Sequence, residues 1–134
     1  VLRQLKFYFF SCDETAIDFS NYENITAHYT PQGFTLEEKY DEYEAVGYRY
    51  ENEAENLVYD IYVSLNDGLA IHTDKNKDNV EEINISGRNA YLISGENDGK
   101  PYSTLIITGN KITVTIYGQL DREEIIKIGQ SLKE

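Results

Sequence analysis

Beyond Gly33 the chain alternates apolar and polar residues with a period of two, the repeat of a strand with one buried face. Leu57, Tyr59, Ile61, Val63 and Leu65 alternate with Val58, Asp60, Tyr62 and Ser64, and Val46, Tyr48 and Tyr50 alternate with Gly47, Arg49 and Glu51. Ile83 and Ile85 predict a short strand before Ser86-Gly87, and Ala90 to Ser94 another after it. Gly109-Asn110 separates Thr104–Thr108 from Lys111–Tyr117, a two-residue loop of the kind that suits the primed turns of hairpins. With the turn Glu96-Asn97-Asp98-Gly99-Lys100-Pro101 upstream, these segments predict a three-stranded meander. Thr30-Pro31-Gln32-Gly33 breaks the chain between Tyr29 and Phe34, since proline fixes φ and glycine permits a positive one. The opening Leu2 to Phe10 is basic and then apolar; it is too short for a signal or anchor and reads as a first strand.

The period changes at the C-terminal end. Asp121 can cap a helix, with Glu124 three residues on as the capping-box acid and Leu120 and Ile125 placed as a hydrophobic staple. Ile125, Ile128, Gly129 and Leu132 then share one helical face. The sequence therefore predicts an α+β domain: a meander-rich antiparallel sheet of about six or seven strands, with a C-terminal helix on one face. The other face is left to solvent or a partner.

At 134 residues, with no repeat or Pro/Gly-rich linker, the chain is expected to form one domain, residues 1–134. No apolar run approaches the roughly 20 residues of a membrane helix. There is no methionine and the first residue is Val1, so further residues are expected upstream. The net charge of −12 excludes a general nucleic-acid binder. Acid is concentrated in residues 13–60, where thirteen Asp/Glu face only Lys39 and Arg49, a balance of −11. Such a run reads as a solvated face, or as a surface for a cation or a basic partner. The single Cys12 excludes an internal disulfide.

Twelve tyrosines against no tryptophan suit a half-exposed sheet, because tyrosine buries a ring and keeps a wet hydroxyl. Tyr62 and Tyr117 are the candidate ligand- or partner-contact residues, each out of phase with the aliphatic face of its strand. Asp74-Lys75-Asn76-Lys77-Asp78 imitates the opening of a calcium loop, but Asn79 stands at the glycine position and Ile85 where a bidentate glutamate belongs. His28 and His72 have no metal-ligand spacing, and Cys12 has no local base to activate it. Glu37, Glu38, Asp41, Glu42 and Glu44 supply acid pairs of the kind glycosidases use, in a chain where such pairs are common. Asn24-Ile25-Thr26 and Asn84-Ile85-Ser86 match glycosylation acceptors, which have meaning only in a secreted eukaryotic protein. There is no glycine-rich phosphate loop. No catalytic set, cofactor or metal site is expected.

Tyr29-x-Pro31-x-Gly33-Phe34-x-Leu36, Tyr50-x-Asn52, Ile83-x-Ile85-x-Gly87-x-x-Ala90-Tyr91 and Leu120-x-x-Glu123-Glu124-Ile125-x-Lys127-Ile128-x-x-Ser131-Leu132 together resemble the domain of unknown function 4367 family. The resemblance covers residues 25–134 and implies the extracytoplasmic part of a Gram-positive membrane protein, some of which are anti-sigma-like regulators. Residues 1–24 look like the segment that follows the membrane helix in such proteins. Two positions depart from the family's habit: Leu105-Ile106-Ile107 stands where a tryptophan is common, and Gly129 replaces the more usual alanine. The family has no agreed catalytic residues, so the resemblance implies none.

The expected function is a non-enzymatic extracytoplasmic binding or sensing module, tethered to a membrane upstream, for a protein partner or small ligand. The alternative is a carrier or sensor of a hydrophobic molecule, similar in architecture to lipoprotein-carrier sheet domains, which needs an apolar cavity between sheet and helix. A cell-wall hydrolase, the third reading, needs two polar side chains converging in a cleft.

Overall fold

Residues that alternate in polarity fold as strands because each pleated segment can bury one face and wet the other. The computed structural model describes residues 5–9, 19–65, 70–74 and 79–134, with side-chain surroundings for 19–65 and 80–134. In chain order the elements are β1 (Leu5–Phe9), a 3-10 turn (Tyr22–Asn24), β2 (Thr26–Ala27), β3 (Thr35–Glu42), β4 (Ala45–Asn52), β5 (Leu57–Leu65), β6 (Ala70–Asp74), β7 (Asn79–Ile85), β8 (Arg88–Asn97), β9 (Lys100–Thr108), β10 (Ile112–Gly118), α1 (Arg122–Gln130) and β11 (Leu132–Lys133). Cys12, the calcium-like stretch after Asp74 and the His72 side chain lie outside the described residues.

Seven strands form one sheet in the order β3-β4-β5-β10-β9-β8-β7, with every pair antiparallel. It is two meanders, β3 to β5 and β7 to β10, joined where β5 pairs with β10. The α+β class and the antiparallel sheet agree with the sequence expectation. The leading segment does form a strand, and β1 pairs with β6 in a separate two-stranded sheet. β2 and β11 form another, which ties the segment before the main sheet to the end of the chain.

The core lies on the face that meets α1. Tyr48 and Tyr50 of β4, Tyr59, Ile61 and Val63 of β5, Val114 and Ile116 of β10, Leu105 and Ile107 of β9 and Leu92 of β8 are buried there with Ile125 and Ile128 of the helix. Tyr50 stacks on Tyr59 with ring centres 4.8 Å apart, and Phe34 meets Tyr59 edge-on at 4.9 Å. At Gly129 the helix lies directly on the sheet: a Cβ there would fall 2.8 Å from Leu105 Cδ2 and 3.3 Å from Ile107 Cδ1.

The turns correct one detail of the sequence reading. The β9–β10 hairpin is present, but Gly109 donates its N–H to the Ile112 carbonyl at 3.0 Å, so Asn110-Lys111 are the central residues. Neither has a positive φ, so this turn is not of the primed type. Primed geometry occurs instead at Ser86-Gly87 (φ 53° and 85°) and Asp98-Gly99 (φ 54° and 75°), where glycine takes the second position without steric cost.

Asp121 caps α1 as its sequence position requires, accepting the Glu124 N–H at 2.9 Å. The reciprocal half of the capping box has been diverted, because the Glu124 carboxylate accepts the Tyr29 hydroxyl at 2.5 Å. Leu132 is buried as expected, but in β11 after the helix has ended. Asp121→Ala should lower stability by about 1 kcal/mol, the usual cost of a lost N-cap. Urea denaturation would read this as a lower midpoint with an unchanged slope.

Candidate functional site

Strand register carries one row of side chains across the sheet on the face away from α1. Glu38, Arg49, Asp60, Tyr117, Thr104, Ile93 and Val80 stand opposite one another in turn along that row. The sequence pattern places Asp60 on the solvent side of its strand, yet it is only 4% exposed. Its two oxygens are taken: Arg49 Nε donates to Oδ1 at 3.1 Å and the Tyr40 hydroxyl to Oδ2 at 2.9 Å. A carboxyl group this buried costs free energy unless its oxygens find partners, and here both do.

Gly47 makes the cluster possible. A Cβ there would lie 2.0 Å from Tyr40 Cζ, so the Tyr40 ring rests on the bare β4 backbone and reaches Asp60. Tyr62 follows, its ring centre 6.5 Å from that of Tyr40 and its hydroxyl donating to Glu42 at 2.5 Å. The bond to the Glu42 carboxylate, with some burial, pushes the Tyr62 phenol up to about 12. Burial and then the Asp60 bond push the Tyr40 phenol upward, and burial followed by the Asp60 charge does the same for Tyr117. The bond to Asp60 holds Arg49 more firmly protonated. Gly47→Ala should displace Tyr40, leave Asp60 one donor short and cost about 2 kcal/mol. Chemical denaturation would measure that cost, and tyrosine ring resonances would report whether the pair with Tyr62 had separated.

Next to this cluster the face is hollowed. One depression of about 390 Å³ is lined by Ile93, Gly95, Glu96, Asn97, Tyr102 and Thr104. A second, of about 280 Å³, has Arg49, Asp60 and Tyr117 among its walls and shares Asn97 and Tyr102 with the first. Together they make a shallow groove across β4, β5, β10, β9 and β8, at the end of the sheet that bears the Asp98-Gly99 turn. Tyr102 stands between the two hollows and is 37% exposed. Farther along the same face Ile106, Thr108 and Thr113 are buried, so the open region is narrower than one whole side of the sheet.

Of the two tyrosines singled out by sequence, Tyr117 lines this groove, while Tyr62 sits beyond Tyr40 and engages Glu42. Sequence reasoning missed Tyr40, Tyr102, Asn97 and the Arg49–Asp60 pair. The signal for the last was available: two opposite charges at out-of-phase positions of adjacent strands. The acids Glu37, Glu38, Asp41, Glu42 and Glu44 are exposed along β3 and its turn and line neither hollow. His28 is exposed, with Nε2 3.4 Å from Thr26 Oγ1. Among the described residues no three His, Cys, Asp or Glu side chains are grouped to hold a metal, and no helix is long and apolar enough to cross a membrane.

The family model described as Domain of unknown function (DUF4367) matches residues 24–132. The chain belongs to this family. No curated protein and no solved structure matches it at a significant level.

Several of the DUF4367-like residues named above lie around the loop before β3 and the two ends of α1. Tyr29 bonds Glu124 at the start of α1, and Phe34 meets Tyr59. A Cβ on Gly33 would fall 2.5 Å from Asn52 Nδ2, while Asn52 Oδ1 accepts the Glu55 N–H at 3.2 Å. Ser131 accepts the His28 N–H at 3.1 Å, and Leu132 pairs with Ala27. The shared pattern thus fastens the helix to the loop that precedes β3.

Proposed function

We propose that this chain is a non-enzymatic binding or sensing module in the extracytoplasmic part of a membrane-tethered protein, with the tyrosine-lined groove as its contact surface. The observation that carries the reading is the groove's make-up. Tyr102 and Tyr117 offer amphipathic rings and Asn97 an amide, on strands whose backbones are fixed by pairing. The buried acid beneath them, Asp60, is already held by Arg49 and Tyr40. Such a surface suits an extended polar ligand laid across the strands. α1 covers the opposite face, which leaves the groove as the side presented to a partner. The tether and the setting rest on the resemblance over residues 25–134.

The carrier alternative needs space between helix and sheet; at Gly129 the two are in contact, and a hollow of about 270 Å³ opens instead beside the start of α1, at Phe34, Leu57, Leu120 and Glu124. Amide NMR spectra of the domain, titrated separately with cell-envelope peptides and cell-envelope glycans, test the reading. Shifts should gather at Ile93–Thr104 and Tyr117 and be lost in Tyr102→Ala. Shifts confined to α1, or conversion of either mixture into new products, would overturn it. A β-lactamase fused after Glu134 of the full-length protein tests the setting: ampicillin resistance is expected, and sensitivity with intact fusion would place the domain inside the cell.

A further inference from the structure

We infer that the free edge of β3 accepts an extended, basic segment of a partner protein as an eighth strand. β3 is an outer strand of the main sheet, and among the described strands it pairs with β4 alone. Among the described residues no strand pairs with its outward backbone N–H and C=O groups, which is what strand addition requires. Seven of its eight side chains are exposed. A bulge between Leu36 and Glu38 breaks the register, but Glu38 to Glu42 runs regularly and offers a template of five residues.

Two further observations say what would lie there. Among the described residues four large apolar side chains are exposed, and two of them, Leu36 and Tyr43, border this edge. Leu36 (51%) stands at one end of the regular stretch and Tyr43 (90%) at the other, while Leu65 joins the same turn through its N–H to the Glu44 carbonyl. Leu36 and Tyr43 bracket a strand of six or seven residues with apolar holds at both ends. Charge then selects the occupant. Glu37, Glu38, Asp41, Glu42 and Glu44 surround the edge with Lys39 as the sole base, inside a stretch of net charge −11. A second copy of the chain carries −12 and is repelled, so the edge resists self-pairing while attracting a basic strand. Glu38, Tyr40 and Glu42 project to one face, so lysine or arginine at alternate positions of the incoming segment would meet both acids.

The probe is a ten-residue peptide alternating lysine and valine, together with the same peptide N-methylated at every second residue. Both are titrated into the domain while amide NMR shifts are followed at low and high salt. The unmodified peptide should shift Leu36 to Tyr43 and weaken as salt rises. N-methylation, which removes ladder donors and keeps the charge, should cost at least about tenfold in affinity. Leu36→Ser with Tyr43→Ser, both on exposed side chains, should weaken binding several-fold with the fold intact. Equal binding of the two peptides would reduce the edge to a diffuse acidic surface and overturn the inference. So would shifts confined to the Tyr102–Tyr117 groove, no shifts at millimolar peptide, or sedimentation showing that the domain alone pairs through β3.

Discussion

Gly118→Ala should lower stability by about 4 kcal/mol, the upper range for a single substitution. Gly118 closes β10 with φ +150°, where the chain leaves the sheet for α1. A Cβ there would stand 2.5 Å from the Tyr59 Cα and from the Val58 carbonyl oxygen. Both are backbone atoms of β5, the neighbouring strand, so neither can rotate away. The local bonds add to the constraint: Gln119 N–H donates to Val58 O and the Gln119 side-chain oxygen accepts from Val58 N–H, both at 3.0 Å. Gly99→Ala is the matched control. It has φ +75° but nothing within 4 Å of the added carbon, so only backbone conformation is at stake, about 1 kcal/mol. Equal losses in urea denaturation of the two variants would show that the Gly118 contact does not matter.

Stability should also fall steeply as the pH rises above about 10. Tyr50 and Tyr59 are stacked in the core, and burial raises both phenols above their ordinary value of 10.0. Below that value folded and unfolded chains both carry the proton and the contribution is complete. Above it the unfolded chain releases protons that the folded chain retains, and stability is lost until the folded groups titrate in turn. Each retained proton costs about 1.4 kcal/mol per pH unit, so these two phenols together cost about 3 kcal/mol per unit. Tyr40, Tyr62 and Tyr117 shift in the same direction and steepen the loss. Urea midpoints from about pH 9 to about pH 11.5 measure the slope, and Tyr59→Phe, which removes one phenol, should make it shallower. A flat profile would contradict the burial of these rings.

Sequence reasoning finds β1, β4, β5 and β7 to β10: β4 and β5 by their alternation, β9 and β10 by the turn between them, the others by short apolar runs. β3 is missed because an exposed edge strand such as Thr35–Glu42 has no apolar phase to read, and its acids read as a solvated face or a surface for a basic partner. Asp121 and the helix were legible because capping is local chemistry. Sheet order was not, since the pairing of β5 with β10 joins residues about fifty positions apart and leaves no local mark. Arg88 shows the same limit: it is buried with its guanidinium carbon 3.8 Å from the centre of the Phe19 ring, which no spacing announced. The candidate groove was half legible. Tyr117 stood out by phase, whereas Tyr40 became important only through Gly47, across the strand pair.

The contact surface is tested most directly inside the cells that make the full-length protein, with a photo-crosslinking phenylalanine placed at Tyr102, at Tyr117 or at Gln130 of the helix. The account predicts adducts of discrete mass at 102 and 117 and none at 130. Adducts at 130 alone would move the contact surface to the helix side of the sheet and contradict it.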